Sequence, residues 1–252
     1  MILTNLIQTN LTTKIFGRTI KYFTFTDSTN EDAWELLLDG ADEGLVVTTD
    51  QQKKGRGRRG NVWFSEPGAS LTFSLIIKPE LSAERLGLLS LLTGVAVVGG
   101  ISNFAQINCQ LKWPNDIVLN GKKVGGILAE SKKIDRQMYV VMGVGLNVNE
   151  QALPDELTDI ATSLRIEKGN PIQREPLLAF VLNKFEGIYK LSTDQWVEKW
   201  NSECCHLERE IKFHSGSEFV KGIFTGIDET GQAMIKIDGV KQKFSTGTIE
   251  IT

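Results

Sequence analysis

The chain has 252 residues, and 28 Lys and Arg side chains against 31 Asp and Glu give it a net charge of −3. A hydrophobic content of 41% excludes a disordered chain, and the length is sufficient for one or two domains with their own core. The small negative charge argues against a protein that coats nucleic acid through its overall field.

Three cysteines, Cys109, Cys204 and Cys205, are too few and too irregular for a disulfide framework. An odd number with an adjacent pair indicates reduced thiols, and this predicts a cytoplasmic protein. The run from Cys204 to His206, followed by His214, has no familiar zinc spacing, so we predict no metal site among these residues.

Both structural periodicities occur in the first 200 residues. The first 26 residues alternate in a way that suits strands better than a signal peptide. Strands are predicted at 20–26, 45–50, 71–78, 110–119, 123–130 and 138–144. Asn120-Gly121 between two of these runs is a strong hairpin signal. Helices are predicted after a capping box of Ser28 and Glu31, and at 84–104, 176–191 and 194–204.

The apolar run 86–101 raises the question of a membrane span. Its sixteen uncharged residues fall short of the roughly 20 that a spanning helix needs, and Gly94, Gly99 and Gly100 interrupt it. We therefore expect a buried helix packed on a sheet and no membrane association.

The pattern changes after His206. Short alternating runs with tight turns predict five strands over about fifty residues, which is typical of a small barrel. We place a boundary near Asn201, between an α+β domain at 1–200 with a mixed sheet and covering helices, and a barrel domain at 201–252.

The sharpest local motif is Gly55-Arg56-Gly57-Arg58-Arg59-Gly60. It matches the glycine spacing of a dinucleotide fingerprint, but a turn-like segment follows where that fingerprint needs a helix. The arginines can grip phosphate or carboxylate groups, and Trp63 can stack on a base. On this segment alone, a ligand-binding loop and a loop that holds nucleic acid loosely are equally favoured.

Four further segments carry polar groups or glycines at strand and helix ends. Each also has a purely structural interpretation, such as a helix cap, a solvated lysine or a plain turn. The segments are Asp27-Ser28-Thr29-Asn30, Lys112-Trp113-Pro114-Asn115-Asp116, Lys123 to Leu128 with Gly125 and Gly126, and Gly143 to Asn149. No nucleophile–histidine pair and no poised pair of carboxylates accompanies them.

In this order and spacing, these segments with Gln52 and Trp63 closely resemble the biotin–protein ligases. The resemblance runs from about residue 15 to the end. It implies a mixed sheet with helices, similar to class II aminoacyl-tRNA synthetases, followed by an SH3-like barrel. It also implies two half-reactions: biotin and ATP give biotinyl-5′-AMP and pyrophosphate with Mg²⁺, and a carrier-domain lysine then displaces AMP.

The resemblance assigns roles to individual residues. Lys112 and Arg58 are the expected catalytic cations beside the reacting carboxylate and the α-phosphate. Trp63 is expected to cover the adenine, with Lys123 and Asn147 near the nucleotide. Biotin recognition is expected at Ser28, Thr29, Asn30, Gln52, Arg56, Gly57, Arg58 and Lys112. Close backbone approach to the ligands is expected at Gly55, Gly126, Gly143 and Gly145.

The expected partner is the biotin carboxyl carrier domain of acetyl-CoA carboxylase or a related carboxylase. Some relatives carry an N-terminal DNA-binding domain, but only 26 residues precede Asp27 here, so we expect the monofunctional class and no DNA binding. A homodimer through a sheet edge is possible. The alternatives are a lipoate or octanoate ligase, and a nucleic-acid-binding module that uses the arginine loop.

Overall fold

The computed structural model describes residues 1–215 and 218–251, which form a seven-stranded sheet with helices and a five-stranded C-terminal sheet. The helices are α1 Thr4–Asn10, α2 Thr29–Leu38, α3 Gly87–Ala105, α4 Leu164–Lys168, α5 Arg174–Tyr189 and α6 Thr193–Glu203. The first sheet contains β1 Ile20–Phe23, β2 Val46–Thr49, β3 Leu71–Ile77, β4 Gln110–Lys112, β5 Asp116–Leu119, β6 Lys122–Ile134 and β7 Gln137–Leu146. The C-terminal sheet contains β8 Glu210–Ser215, β9 Glu218–Ile227, β10 Ala233–Ile237, β11 Val240–Phe244 and β12 Thr248–Ile251.

The large sheet separates α2 on one face from α3 and α5 on the other. Its strand order is β1-β2-β3-β7-β6-β5-β4, and all neighbours are antiparallel except β1 and β2. Alternate side chains of β3 point to opposite faces: Leu75 packs in the main core with α3 and α5, whereas Ile76 packs with Trp34 of α2. The mixed sheet with covering helices confirms the predicted α+β class.

Helix α3 is the apolar helix of the core. The helical stretch Ala83–Ala105 is long and apolar enough to cross a membrane, but 72% of its most apolar window is buried within the protein. It packs against α5, α6 and the sheet. The predicted buried helix is therefore confirmed.

The N-terminal segment differs from the prediction of strands alone, because α1 precedes β1. Ile7 of α1 is completely buried, and α1 packs on α5. The carboxylate of Glu186 on α5 then accepts hydrogen bonds from the backbone N–H groups of Lys14, Ile15 and Phe16 at 2.9–3.2 Å. Partners about 170 residues away in the sequence hold this segment. Its local hydrophobic pattern therefore does not determine its secondary structure.

Two further local predictions were wrong. Ser28 is the N-cap residue of α2, but its side chain makes no cap hydrogen bond. Gln52 instead accepts a hydrogen bond from the Thr29 N–H at 2.9 Å, so the capping box with Glu31 does not form. The predicted strand 110–119 is split into β4 and β5 by a turn with a cis peptide bond before Pro114.

The C-terminal sheet has the order β11-β10-β9-β8-β12 and is antiparallel throughout. Its two edge strands do not pair with each other among the described residues, so the predicted barrel is open at that seam. One hydrophobic cluster joins Phe213 and Phe224 of this sheet to Trp200 of α6 and Leu111 of β4. The proposed boundary near Asn201 lies within α6, and the division into domains stays a prediction.

Two adjacent glycines of α3 predict opposite effects on stability. A Cβ on Gly100 would lie 2.8 Å from the backbone of Val181 in α5, so Gly100→Ala forces the helices apart. We expect a loss of about 1–3 kcal/mol in the free energy of unfolding, measured by urea denaturation. At Gly99 the neighbour is the flexible stem of Lys184. Gly99→Ala is therefore the control and should be neutral or stabilising; equal losses would contradict this account.

The buried Glu186 predicts a pH-dependent contribution to stability. Burial disfavours its charge, but Lys190 and the three backbone N–H groups outweigh this and lower the pKa of Glu186 to about 2. Its contribution is therefore present above the ordinary pKa of 4.5 and is lost as the pH falls towards 2. We expect Glu186→Gln to lose about 1–3 kcal/mol in urea denaturation at pH 7, a deficit that narrows below about pH 4.5.

The exposed partner provides the control for this prediction. Lys190 is 59% exposed, and Lys190→Met removes only the surface member of the pair. We expect a loss of about 1 kcal/mol or less. A deficit of Glu186→Gln that is independent of pH would show that the ionised carboxylate does not hold the N-terminal segment.

Candidate active site

The candidate site lies on the face of the large sheet that α2 covers. Directly opposite residues of neighbouring strands point to the same face, and one such row carries only small or polar residues. The row runs across five strands in the order Thr72, Gly145, Gly126, Asp116 and Lys112. Its two glycines leave bare backbone between Thr72 and Asp116, and Lys112 stands at one end.

A second row forms a polar end of the site. Ser74 pairs with Gly143, and the N-terminus of α2 lies above them. Ser74 Oγ lies 2.7 Å from Thr29 Oγ1 and 2.6 Å from Asn30 Oδ1. A side chain at Gly143 would overlap Asn30 Oδ1, so the glycine is needed for this approach.

Gln52 joins this polar end to the arginine loop. Its Oε1 accepts from both the N–H and the hydroxyl of Thr29, at 2.9 and 3.1 Å. Further along the chain, the backbone N–H of Trp63 donates to the Gly55 carbonyl at 2.9 Å. A side chain on Gly55 would collide with the Trp63 backbone. Gly55 therefore closes the base of the loop rather than facing the cavity.

The indole of Trp63 packs over the glycine row. A side chain at Gly145 would overlap the ring, and one at Gly126 would contact it. The ammonium of Lys123 is 6.0 Å from the centre of the ring. Trp63 Nε1 and Thr72 Oγ1 are both buried without a hydrogen-bond partner among the described residues, so neither is committed to another group of the protein there.

Each arginine of the loop contacts a different part of the protein. Arg56 lies 3.4 Å from Glu31 of α2 and from Glu130 of β6. Arg58 donates to Asn115 Oδ1 at 3.3 Å, and Arg59, in the left-handed region, donates to Thr246 Oγ1 at 3.1 Å. Burial and then the charge of Arg59 lower the pKa of the Arg58 guanidinium, which still stays charged.

The two lysines of the site differ in their pairing. Lys123 Nζ forms an ion pair with Asp116 at 2.5 Å. No carboxylate pairs with Lys112 in the part of the chain that the structure describes, so its charge is uncommitted. Burial and then the charges of Lys112 and Arg209 lower the pKa of the nearby His206 to about 3, so this imidazole is neutral.

The polar end, the arginine loop and the glycine row line a cavity of about 320 Å³. Of the fifteen sequence-predicted residues, thirteen lie in its wall: Ser28, Thr29, Asn30, Gln52, Arg56, Gly57, Arg58, Trp63, Lys112, Lys123, Gly126, Gly143 and Gly145. Gly55 and Asn147 do not. Asn147 is buried and donates to the Thr162 carbonyl at 3.0 Å. The role assigned to each residue stays a prediction.

The structure adds residues that the sequence analysis did not single out. Thr72 and Ser74 alternate with apolar residues in β3, and their polarity in an otherwise buried strand was the available signal. Asn115 and Asp116 come with the Lys112 motif. No local pattern pointed to Gly247, Thr248 and Ile249, the residues at the start of β12 that close one side of the cavity.

The charge of the cavity wall is strongly positive. The wall itself carries five cationic side chains, Arg56, Arg58, Arg59, Lys112 and Lys123, and one carboxylate, that of Asp116; Glu31 and Glu130 lie just behind the wall against Arg56. Such an excess in a partly enclosed site favours a ligand with several negative charges. The neutral hydroxyls and amides at the opposite end suit an uncharged polar group.

Comparison with known proteins agrees with this geometry. Residues 22–147 match the biotin/lipoate A/B protein ligase family, and residues 206–251 match the biotin protein ligase C-terminal domain. The bifunctional ligase/repressor BirA of Bacillus subtilis is 36% identical over 95% of this chain and 76% of its own length. The biotin–[acetyl-CoA-carboxylase] ligase of Mycobacterium tuberculosis is 29% identical over 89% of this chain and 85% of its own.

A solved structure shows the same fold. The biotin protein ligase from Aquifex aeolicus, in complex with biotin and ATP, superposes with a TM-score of 0.81 at 29% identity, over 93% of this chain and 99% of that one. Both family matches, the relatives and the cationic cavity lead to one assignment. The chain belongs to the biotin protein ligases of the biotin/lipoate A/B protein ligase family.

Proposed function

We propose that this protein joins biotin to ATP, giving biotinyl-5′-AMP and pyrophosphate, and then transfers the biotinyl group to a lysine of a biotin carboxyl carrier domain. The acceptor is the carrier domain of acetyl-CoA carboxylase or of a related carboxylase. The observation that carries the proposal is the cavity with five cations and one carboxylate beside a neutral polar pocket. It supports a substrate with one uncharged polar end and one acidic end.

The first step brings two anions together. A carboxylate oxygen of biotin attacks the α-phosphorus of ATP, and the bond to the pyrophosphate leaving group breaks. The carboxylate is already ionised at neutral pH, so this step needs no general base. What it needs is fixed positive charge at the reacting atoms, and we assign Lys112 and Arg58 to that role.

The second step transfers the acyl group. The amine of the carrier lysine attacks the acyl carbon of biotinyl-5′-AMP and loses a proton, and AMP leaves. Attack by water at the same carbon would hydrolyse the intermediate. We assign the exclusion of water to the arginine loop and Trp63, which border the cavity. We assign the uncharged ring of biotin to the pocket of Thr29, Asn30 and Gln52, and the adenine to the indole of Trp63.

Mg²⁺ belongs to the proposed reaction as a companion of ATP. Within the described residues, no three His, Cys, Asp or Glu side chains form a metal-binding group. Mg²⁺ in proteins is commonly held by one or two carboxylates together with substrate phosphates. Mg²⁺ would be carried mainly on the phosphates of ATP, and Asp116, the one carboxylate of the cavity wall, would be its protein ligand in exchange for the ion pair with Lys123.

The remaining expectations are proposals of the same kind. Three free cysteines support a reducing, cytoplasmic location. β1 and β4 are the edge strands of the large sheet, and pairing at such an edge is the proposed route to a homodimer. We propose no DNA partner for the described residues, and we retain the division into a ligase domain at 1–200 and a C-terminal domain at 201–252.

Pyrophosphate exchange into ATP tests the proposed function directly. We expect exchange with biotin, and little with lipoate, octanoate or no acid, because the neutral pocket is built from ring-binding hydroxyls and amides. Exchange that depends on lipoate or octanoate would indicate a ligase for those acids. Salt-sensitive oligonucleotide binding without any exchange would indicate a nucleic-acid-binding module.

Lys112 allows a separate test of the chemistry. We expect Lys112→Met to lower the rate of adenylation roughly 100- to 1,000-fold, because a fixed cation is lost where charge develops. The biotin dissociation constant, measured by calorimetry, should change much less. Lys122→Met is the control, since Lys122 donates to the surface carbonyl of Thr158 outside the cavity. Equal losses in rate and binding would assign Lys112 to substrate binding alone.

A further inference from the structure

Glu130 contacts both the ligand pocket and the arginine loop, although it is outside the cavity wall. It lies on β6 opposite Val141, which pairs in turn with Ile76, so its side chain is on the site face of the sheet. Glu130 Oε2 accepts from Asn30 Nδ2 at 2.9 Å and from Trp34 Nε1 at 3.3 Å. Its Oε1 lies 3.4 Å from Arg56 Nη2.

The carboxylate decides which way the Asn30 amide faces. An ionised carboxylate can only accept hydrogen bonds, so the NH₂ group of Asn30 must point to it. The carbonyl oxygen then points to Ser74, whose hydroxyl donates to it at 2.6 Å, and it lies directly over Gly143. One lone pair of that oxygen remains for a donor in the cavity.

Without the carboxylate, only the Leu128 carbonyl, which accepts from Asn30 Nδ2 at the longer distance of 3.4 Å, still favours this direction of the amide. Ser74 can donate to a carbonyl or accept from an NH₂ group, so it tolerates either orientation of Asn30. Glu130, at 2.9 Å, is therefore the stronger of the two acceptors that turn the carbonyl oxygen of Asn30, and not its NH₂ group, towards the ligand. A ring N–H is the complementary group, and a ligand that lacks a ring N–H makes no such bond.

We propose that Glu130 is a positioning and specificity-determining residue, which orients Asn30 so that the pocket selects a ligand with a ring N–H. The inference rests on the proposed function, in which the ureido ring of biotin supplies that group. The contact with Arg56 is a second, separable role. The carboxylate of Glu31 lies at the same 3.4 Å from the same Arg56 nitrogen, but it accepts no hydrogen bond from the side chain of Asn30 among the described residues.

The matched pair Glu130→Gln and Glu31→Gln separates the two roles. Both remove one negative charge beside Arg56, but only Glu130→Gln replaces the acceptor-only neighbour of Asn30 with an amide that can present either an oxygen or an NH₂ group to it. We expect Glu130→Gln to raise the KM for biotin roughly tenfold or more. Transfer from added biotinyl-5′-AMP to a carrier domain should stay within about twofold, because the acyl chemistry is untouched. Glu31→Gln should leave the KM for biotin unchanged.

A biotin analogue methylated at the ureido nitrogens gives the specific signature. It cannot donate to Asn30, so we expect Glu130→Gln to weaken its binding, measured by calorimetry, far less than that of biotin. Equal weakening of both ligands would overturn the proposal. So would an equal increase in the KM for biotin in Glu130→Gln and Glu31→Gln.

An exchanged pair keeps the test valid if Glu130→Gln does not fold. Asn30→Asp alone sets two carboxylates against each other, whereas Asn30→Asp with Glu130→Gln moves the donor to position 130 and keeps an acceptor oxygen at position 30. We expect the exchanged pair to bind biotin more tightly than Asn30→Asp alone. Binding no tighter than in that single variant would overturn the inference. Absence of biotin-dependent exchange in the wild-type protein would overturn the proposed function instead.

Discussion

The site depends on a flat stretch of sheet that carries no large side chains. A ligand can lie against the backbone only where neighbouring strands present glycine on the same face and at the same level. Here the register of β7 and β6 places Gly145 opposite Gly126, and it continues to Asp116 and Lys112. The same register thus fixes the glycine floor, over which the Trp63 indole packs, and the position of the Lys112 ammonium group relative to that floor.

The other cations reach the floor from outside the sheet. The three arginines of the loop are held by α2 and β6, by the turn after β4, and by the C-terminal sheet. Like charges so close together repel one another, which a polyanionic substrate relieves. The loop is therefore best stabilised when a substrate is bound, and the C-terminal sheet takes part through Thr246.

Much of this arrangement could be predicted from the sequence because it depends on local composition. Glycine-rich strand segments, a lysine before a Pro-Asn-Asp turn and an arginine-dense loop are visible without a fold. The failures have a tertiary cause. α1 packs on α5 and Glu186 holds the backbone that follows it, both far along the chain. Gln52 replaces the predicted cap of α2, and β12 reaches the cavity only through the packing of two sheets.

The contacts of the site divide by strength. The polar pocket is built on buried bonds, such as that of Ser74 to Asn30, whose loss would leave unpaired groups in the interior. The loop is held by pairs such as Arg56 with Glu31, whose side chains are 44% and 50% exposed, and such pairs contribute little. A site that must admit two substrates and release an unstable intermediate to a protein needs this division. The pocket keeps its shape without ligand, whereas the loop can be displaced at small cost.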